Sequence, residues 1–133
     1  YNWYAAKDPR GLAPKGWKIP TDEDWRELEN CLGGRNIAGG KLKSKGTIEG
    51  GDGLWRSPNL GATDEFEFSA LPGGYRLIGG VFLYLGSYGY WLSSSESDDL
   101  NSWNRSMNFG NFSILTIGSN KGNGYSIRCV KDD

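Results

Sequence analysis

The chain has 133 residues and carries 15 basic and 16 acidic side chains, which gives a formal net charge of −1. This balance, without any run of basic residues, argues against a nucleic acid as the partner. The absence of histidine excludes a Ser-His-Asp or Cys-His catalytic site within the chain and leaves only two cysteines and carboxylates as zinc ligands, an unfavourable set.

The N-terminal segment is aromatic, and predicted turns follow it. Residues 1–6 contain three aromatic side chains and predict a short strand. Pro9, Gly11, Pro14 and Gly16 then predict turns. Because the chain opens at Tyr1 without Met or a signal peptide, we expect a domain excised from a longer protein, with any targeting segment outside it. No apolar stretch approaches the 18 residues of a membrane-spanning helix, so we expect no membrane span.

The clearest helix signal begins after Pro20. Thr21 is suited to cap the first amides, and the acidic residues 22–24 suit the positive end of the helix dipole. Asp24 stands where a capping box prefers Glu, so we expect that box to be imperfect. Trp25, Leu28 and Leu32 recur at helical spacing, and the glycines at 33 and 34 predict the end of the helix.

The remaining residues predict one irregular segment and then strands. Residues 35–65 are glycine-rich, with a short helical turn at 38–43, and a loop of this length is expected to pack through its own side chains, with Trp55 as an anchor. From Phe66 onward the alternation of residues predicts strands at 66–68, 75–78, 81–85, 90–94, 102–109, 114–117 and 125–130. The pattern is that of a single α+β domain over residues 1–133.

The two cysteines allow two interpretations. Cys31 lies late in the predicted helix and Cys129 in the last predicted strand. In the first, both are buried free thiols, which is common for cysteine. Alternatively, a disulfide joins them and closes a loop of about 100 residues, which contributes up to about 4.7 kcal/mol in the chain-entropy model.

Five ordered motifs resemble a known family. They are the strings at 16–25 (GWKIPTDEDW), 38–43 (AGGKLK), 68–76 (FSALPGGYR), 89–96 (GYWLSSSE) and 125–132 (YSIRCVKD). Together they resemble the Fibrobacter succinogenes major paralogous domain family, over nearly the whole chain. The resemblance implies a C-type-lectin-like fold, with one or two helices packed on short twisted antiparallel sheets, near the formylglycine-generating-enzyme branch.

The resemblance also carries expectations about function and location. Members are commonly parts of lipoproteins and other surface proteins exported by Bacteroidetes-type bacteria. The family often has a cysteine before the Pro-x-Gly-Trp string, where this chain has Ala13, so its usual disulfide partner for the terminal cysteine is absent. The region from Tyr75 onward is similar to variable regions diversified by retroelements, and the asparagines of that region fit such a pattern: Asn104, Asn108, Asn111, Asn120 and Asn123.

We predict a ligand-binding domain for adhesion or display that contacts a protein or glycan through its C-terminal third. Tyrosine, serine, glycine and asparagine are the residues of adaptable binding surfaces. In a strand, period two places Trp103, Arg105, Met107 and Phe109 towards the core, with Arg105 buried or tethered, and Asn104, Ser106 and Asn108 towards solvent or ligand. The predicted ligand-binding residues are Tyr84, Tyr88, Asp98, Asp99, Asn104, Asn108, Phe109, Asn111 and Phe112.

Other functions remain open at this point. The same residues suit a solvated sheet face with Asn-Gly turns, or a structural module of a larger surface protein. Glu96, Asp98 and Asp99 offer oxygen ligands for calcium, although the Glu-Pro-Asn and Gln-Pro-Asp strings of calcium-dependent sugar-binding lectins are absent. The cysteines sit in elements that suit structural roles, so we expect no enzyme of the formylglycine-generating type, no cofactor, and a monomeric domain.

Overall fold

Ten short helices and strands were identified in a computed structural model that describes residues 1–133. The helices are α1 (Trp3–Ala6), α2 (Asp22–Cys31) and α3 (Arg35–Leu42), and the strands are β1 (Trp17–Lys18), β2 (Tyr75–Arg76), β3 (Phe82–Leu83), β4 (Tyr88–Glu96), β5 (Asn101–Asn108), β6 (Leu115–Asn120) and β7 (Val130–Lys131). The strands form three small antiparallel sheets, so the α+β prediction is confirmed. None of the three helices has the length and hydrophobicity that crossing a bilayer requires.

The N-terminal segment is a helix, so the strand predicted at residues 1–6 is wrong. The Asn2 side chain accepts a hydrogen bond from the Ala5 amide at 2.9 Å and caps α1. The Trp3 indole donates to the Ser94 carbonyl at 3.1 Å, and its ring lies 4.3 Å from the Lys121 ammonium. Contacts with residues more than 90 positions away therefore decide this conformation.

Helix α2 begins and ends where its sequence predicted. The Thr21 hydroxyl accepts from the Asp24 amide, and the Asp24 carboxylate accepts from the Thr21 amide at 2.8 Å. The capping box is therefore complete, and the prediction of an imperfect one is wrong because the shorter Asp side chain still reaches the amide. At the other end, Gly33 has a φ of 96°, and the Gly34 amide donates to the Glu29 carbonyl at 2.8 Å, as in a Schellman motif.

The segment between α2 and β2 is partly helical. Helix α3 is longer than the turn predicted at 38–43, and it packs closely, since a Cβ on Gly39 would lie 2.2 Å from the Ser113 carbonyl oxygen. The following loop packs through its own side chains as expected: Trp55 is fully buried, and its indole donates to the Ala70 carbonyl at 3.0 Å. Residues 66–68 form a turn with Glu67 at a φ of 54°, so the strand predicted there is wrong.

The three-stranded sheet holds strands in the order β4-β5-β6. These strands, and the short β2 and β3, lie within or overlap the predicted ranges. The prediction of a strand over 125–130 is wrong for most of its length: Ser126 makes only an isolated bridge with Trp91, and β7 begins at Val130. Strand β7 pairs with β1, which joins the C-terminal segment to residues 17–18.

The two faces of β5 alternate as predicted, and the face towards α2 carries the core, except that Trp103 is half-buried and lies outside the core cluster. Met107 is fully buried in a cluster of nine buried residues: Trp25, Leu32, Ala38, Leu42, Trp55, Ala70, Trp91, Met107 and Ile114. Arg105 on the same face is fully buried; it donates to Asp22 at 2.7 Å and to the Glu29 carboxylate. The prediction of a buried, tethered Arg105 is confirmed, and this residue anchors α2 to the sheet.

Both cysteines are free in the structure. Cys31, the last residue of α2, is exposed, and Cys129 is half-buried. The structure thus contains no bond between them, and the alternative of two buried thiols is wrong for Cys31. That residue lies on the solvent side of α2, one position before the buried Leu32.

Candidate ligand-binding surface

Five tyrosines contact one another on the face of the sheet opposite α2. We call this cluster the tyrosine surface; its members are Tyr75, Tyr84, Tyr88, Tyr90 and Tyr125. Neighbouring ring centroids lie between 5.0 and 6.0 Å apart, within the range of favourable aromatic pairs. Tyr88 and Tyr90 alternate along β4, and the others come from β2 and from the segments after β3 and β6.

The tyrosine surface is graded from buried to exposed. Tyr125 is 5% exposed, Tyr75, Tyr88 and Tyr90 are half-buried, and Tyr84 is 50% exposed. Tyr84 adopts a left-handed φ of 64°, which is unfavourable for a bulky side chain. Its carbonyl accepts from the amides of Ser87 and Tyr88, both at 3.0 Å, so a tight turn holds this conformation. The most exposed ring of the cluster therefore belongs to the residue with the left-handed backbone conformation.

Burial keeps the phenols of Tyr75 and Tyr90 neutral at physiological pH. Burial raises the pKa of Tyr90 to about 12, and burial is also the largest cause of the raised pKa of Tyr75. Each neutral phenol can donate one hydrogen bond and accept others. The surface therefore combines apolar rings with hydroxyl groups.

A buried polar network supports the cluster from below. The Asn104 amide donates to the Ser119 hydroxyl at 2.6 Å, and that hydroxyl lies 2.5 Å from the Tyr125 hydroxyl. The Asn123 amide donates to the same Tyr125 oxygen at 3.1 Å, and its own oxygen accepts from the Ile78 amide at 3.0 Å. The network fixes Tyr125 between β5, β6 and the segment after β2.

Asn104 therefore faces inward, which corrects the prediction that it faces ligand or solvent. It is fully buried, and Ser106 on the same face is 1% exposed. Alternation did place both residues on the face away from α2. That face is covered, however, by Tyr90, the cross-strand neighbour of Ser106 on β4, and by Tyr125 in the C-terminal segment. Asn108 alone of the three is half-buried, and it pairs with Tyr88 at the edge of the tyrosine surface.

Three other predicted binding residues, Phe109, Asn111 and Phe112, lie on the loop after β5, which Lys43 holds. Lys43 is fully buried and forms no ion pair; its ammonium donates instead to the carbonyls of Leu60, Asn108 and Asn111 at 2.8 to 2.9 Å. Burial lowers the pKa of Lys43 to about 8. Asn111 and Phe112 are exposed, whereas Phe109 packs against the core. Lys43 holds this loop in place, and none of its three predicted residues belongs to the tyrosine surface.

The two predicted acidic residues lie at the opposite end of the sheet, in the turn between β4 and β5. The Asp98 carboxylate accepts from the amides of Leu100 and Asn101 at 2.8 and 2.9 Å, and hydrogen bonds from Asn101 are the largest cause of its lowered pKa. The Asp99 carbonyl accepts from the Lys121 ammonium at 2.9 Å. The chain contains no group of three acidic or cysteine side chains arranged to hold a metal ion.

The structure thus brings together Tyr84, Tyr88 and Asn108, with Asn104 beneath them, and leaves the other predicted residues elsewhere. Sequence reasoning missed three members of the cluster, Tyr75, Tyr90 and Tyr125. No signal in the sequence relates them, because Tyr75 lies in β2, Tyr90 in β4 and Tyr125 in the segment after β6, and they meet only through the packing of these segments.

A groove of about 310 Å³ opens beside the tyrosine surface. Its aromatic lining is Tyr1, Tyr75, Phe82 and Tyr125, and Arg76 is its charged side chain. Glycine backbone forms much of the remaining wall, at positions 73, 74, 122 and 124. This groove shares two residues with the tyrosine surface and extends it towards the β2-β3 hairpin.

Comparison with known proteins gives one match. The model of the Fibrobacter succinogenes major domain matches residues 1–131. No curated protein and no solved structure matches the chain. The family match spans all three helices, all three sheets and every member of the tyrosine surface.

Proposed function

Because the chain belongs to the Fibrobacter succinogenes major domain family, we propose that it is a ligand-binding domain of C-type-lectin-like fold. It is exported to the surface of a bacterium, where it serves adhesion or display and performs no catalysis. Its ligand is a protein or a glycan, and the contact is made by the tyrosine surface. The observation that carries this proposal is the cluster of five touching tyrosines with Tyr84 half exposed in a left-handed conformation.

Physical considerations favour recognition at this surface. A tyrosine offers a large rigid contact area at a small cost in conformational entropy, because only two side-chain torsions are ordered. The stacked rings and the buried Asn104–Ser119–Tyr125 network order these side chains before a ligand arrives. Preorganisation of this kind lowers the entropic cost of binding. Backbone strain at Tyr84 is also of the kind that concentrates at ligand contacts.

A matched pair of tyrosine variants tests the proposal. Tyr84→Ala removes a tyrosine of the surface that is 50% exposed, and Tyr4→Ala removes one that is 58% exposed but lies in α1. The chain is screened against a glycan array and against an array of extracellular proteins, and each hit is measured with both variants. We expect Tyr84→Ala to weaken binding at least tenfold without lowering the melting temperature, and Tyr4→Ala to leave binding unchanged. Equal affinity of the two variants for every hit would refute the assignment of this surface.

We also propose that retroelements diversify the region from Tyr75 onward, which contains the tyrosine surface. If diversification serves ligand binding, sibling domains should differ at exposed asparagines such as Asn111 and Asn120. They should share Asn104 and Asn123, which are buried in the polar network. Sequencing of siblings from one genome measures this. Variation spread evenly over buried and exposed positions would contradict it.

A structural module of a larger surface protein is the second candidate. A different surface favours it: Ile48, Leu54, Leu71 and Leu85 line an apolar groove of about 450 Å³, and each is at least 50% exposed. Apolar patches of this kind often mark contacts between proteins or domains. If this function holds, the chain should self-associate or bind its neighbouring domain in sedimentation experiments, and Leu85→Asp should abolish that association. A chain that stays monomeric and does not bind its neighbouring domain would argue against the structural-module function.

A further inference from the structure

The groove beside the tyrosine surface contains a guanidinium without a partner. Arg76 takes part in none of the seven ion pairs of the chain, and its side chain donates no hydrogen bond to another residue. Its Cζ atom lies 5.9 Å from the centre of the Phe82 ring, and no acidic residue lines the groove. The donors of this guanidinium are therefore available to a ligand.

The backbone that carries Arg76 is firmly held. The Arg76 amide donates to the Gly124 carbonyl at 2.9 Å, and the Gly124 amide donates back to the Arg76 carbonyl at 2.7 Å. Arg76 also pairs with Phe82 across the β2-β3 hairpin. The side chain thus projects from a backbone bonded on both sides, and it is exposed at the groove. Such an arrangement can orient the planar guanidinium for a bidentate contact.

The charge of the groove selects among anionic ligands. Arg76 is its only charged side chain; Tyr1 also lines the groove, but its ammonium already donates to the Tyr125 carbonyl at 2.8 Å. A single guanidinium matches a single carboxylate, whereas nucleic acids and other polyphosphates are bound by several cations. The ligand expected here has one carboxylate on the part that enters the groove.

The walls of the groove favour a sugar over an acidic peptide. Peptides commonly add a strand to a free sheet edge, but β2 is already bonded to β3 on one side and to Gly124 on the other. Rings and phenolic hydroxyls beside a cation instead match a pyranose, which has apolar C–H faces, hydroxyl groups and, in an acidic sugar, a carboxylate. A volume of about 310 Å³ is at the lower end of the range for small-ligand sites.

We propose that this groove binds a carboxylate-bearing sugar, with Arg76 contacting the carboxylate and Phe82 and Tyr75 contacting the ring. The proposal rests on the proposed function, because Tyr75 belongs to the tyrosine surface, and it adds the ligand class. Uronic acids and sialic acids share this chemistry, and the experiment distinguishes these two sources. Methyl esterification removes the charge of either sugar while keeping its ring, so the esters are the matched controls.

Binding is measured by calorimetry with four probes: a uronic acid trisaccharide, a sialylated trisaccharide and the methyl ester of each. We expect at least one free acid to bind at least tenfold more tightly than its ester. Arg76→Gln should abolish that difference, and Arg76→Lys should restore only part of it, because an ammonium makes no bidentate contact. Arg128→Gln is the matched control, since Arg128 also lies over an aromatic ring, that of Phe68 at 4.5 Å, but outside this groove.

Several outcomes would overturn the proposal: no acid binds, acid and ester bind equally, or Arg76→Gln binds the acid as wild type does. An acidic peptide that binds through Arg76 in place of the sugars would also overturn it. The melting temperature of Arg76→Gln verifies folding. If a neutral glycan or a protein binds and is lost with Tyr84→Ala but not with Arg76→Gln, the proposed function stands and the carboxylate assignment is wrong.

Discussion

Replacing Asn104 by alanine should lower the stability of the fold, although the residue type and its place in a strand suggest a surface asparagine. The side chain is fully buried, and its amide donates the 2.6 Å hydrogen bond to Ser119. Ser119 in turn contacts the hydroxyl of Tyr125, which stacks on Tyr75 with ring centroids 5.8 Å apart. The substitution therefore removes the first link of the network that holds the tyrosine surface.

The expected magnitude follows from two contributions. Loss of the hydrogen bond costs about 1 kcal/mol. The small cavity left by the amide group adds up to about 1 kcal/mol. The Asn104 oxygen has no partner within the chain, so its removal returns part of this cost. The free energy of unfolding should fall by about 1 to 2 kcal/mol, which lowers the melting temperature by about 3 to 6 °C for a chain of this length.

Thermal and urea unfolding, followed by circular dichroism, measure this change. Asn30→Ala is the control, because Asn30 lies exposed in α2 and its side chain makes no hydrogen bond within the chain; it should change stability by less than about 0.5 kcal/mol. An Asn104→Ala protein as stable as wild type would refute the inward placement of this residue. It would also remove the physical basis for treating Tyr125 as fixed.

Three further predictions concern the framework. Arg105→Met leaves Asp22 and Glu29 without their buried partner and should destabilise the fold by about 3 to 5 kcal/mol, as measured by urea unfolding. Adding Glu29→Gln to this variant should recover part of the lost stability, because it removes one of the unpaired charges. A double variant no more stable than Arg105→Met would contradict the ion-pair account. Lys43 has a pKa near 8 when folded against 10.5 ordinarily, so the unfolded chain binds more protons between these pH values. The free energy of unfolding should therefore rise with pH over that window relative to a Lys43→Met variant, and parallel pH profiles of the two proteins would argue against it. Gly39→Ala forces a Cβ to within 2.2 Å of the Ser113 carbonyl oxygen and should lower the melting temperature more than Gly79→Ala, where nothing lies within 4 Å; equal melting temperatures would contradict close packing of α3.

Local signals predicted the elements whose interactions are themselves local. The cap at Thr21, the stripe of Trp25, Leu28 and Leu32 and the glycines after α2 all act within one or two helical turns, so the helix could be placed from its sequence. Alternation predicted β5 and the inward Arg105, because period two is a property of any strand. The same local reasoning failed at residues 1–6, where Trp3 is held by Ser94 and Lys121.

The candidate site was predicted only in part, for a related reason. Tyr84, Tyr88 and Asn108 were identified from residue type, and they do lie together. Asn104 was assigned to the open face because alternation distinguishes the two faces of a strand but not whether another segment covers one of them. Here the polypeptide after β6 returns and covers it with Tyr125.

The amino-acid sequence by itself determined the family, the α+β composition, the limits of α2 and the two faces of β5, since each depends on short-range patterns or on motifs read in order. Only the tertiary structure decided which side chains form a surface. Tyr75, Tyr84 and Tyr125 belong to segments that no single periodicity relates, and they meet because the β2-β3 hairpin and the C-terminal segment pack on the same face of β4. The contact is made in space between residues up to 50 positions apart, so its partners could be identified only once the chain was folded.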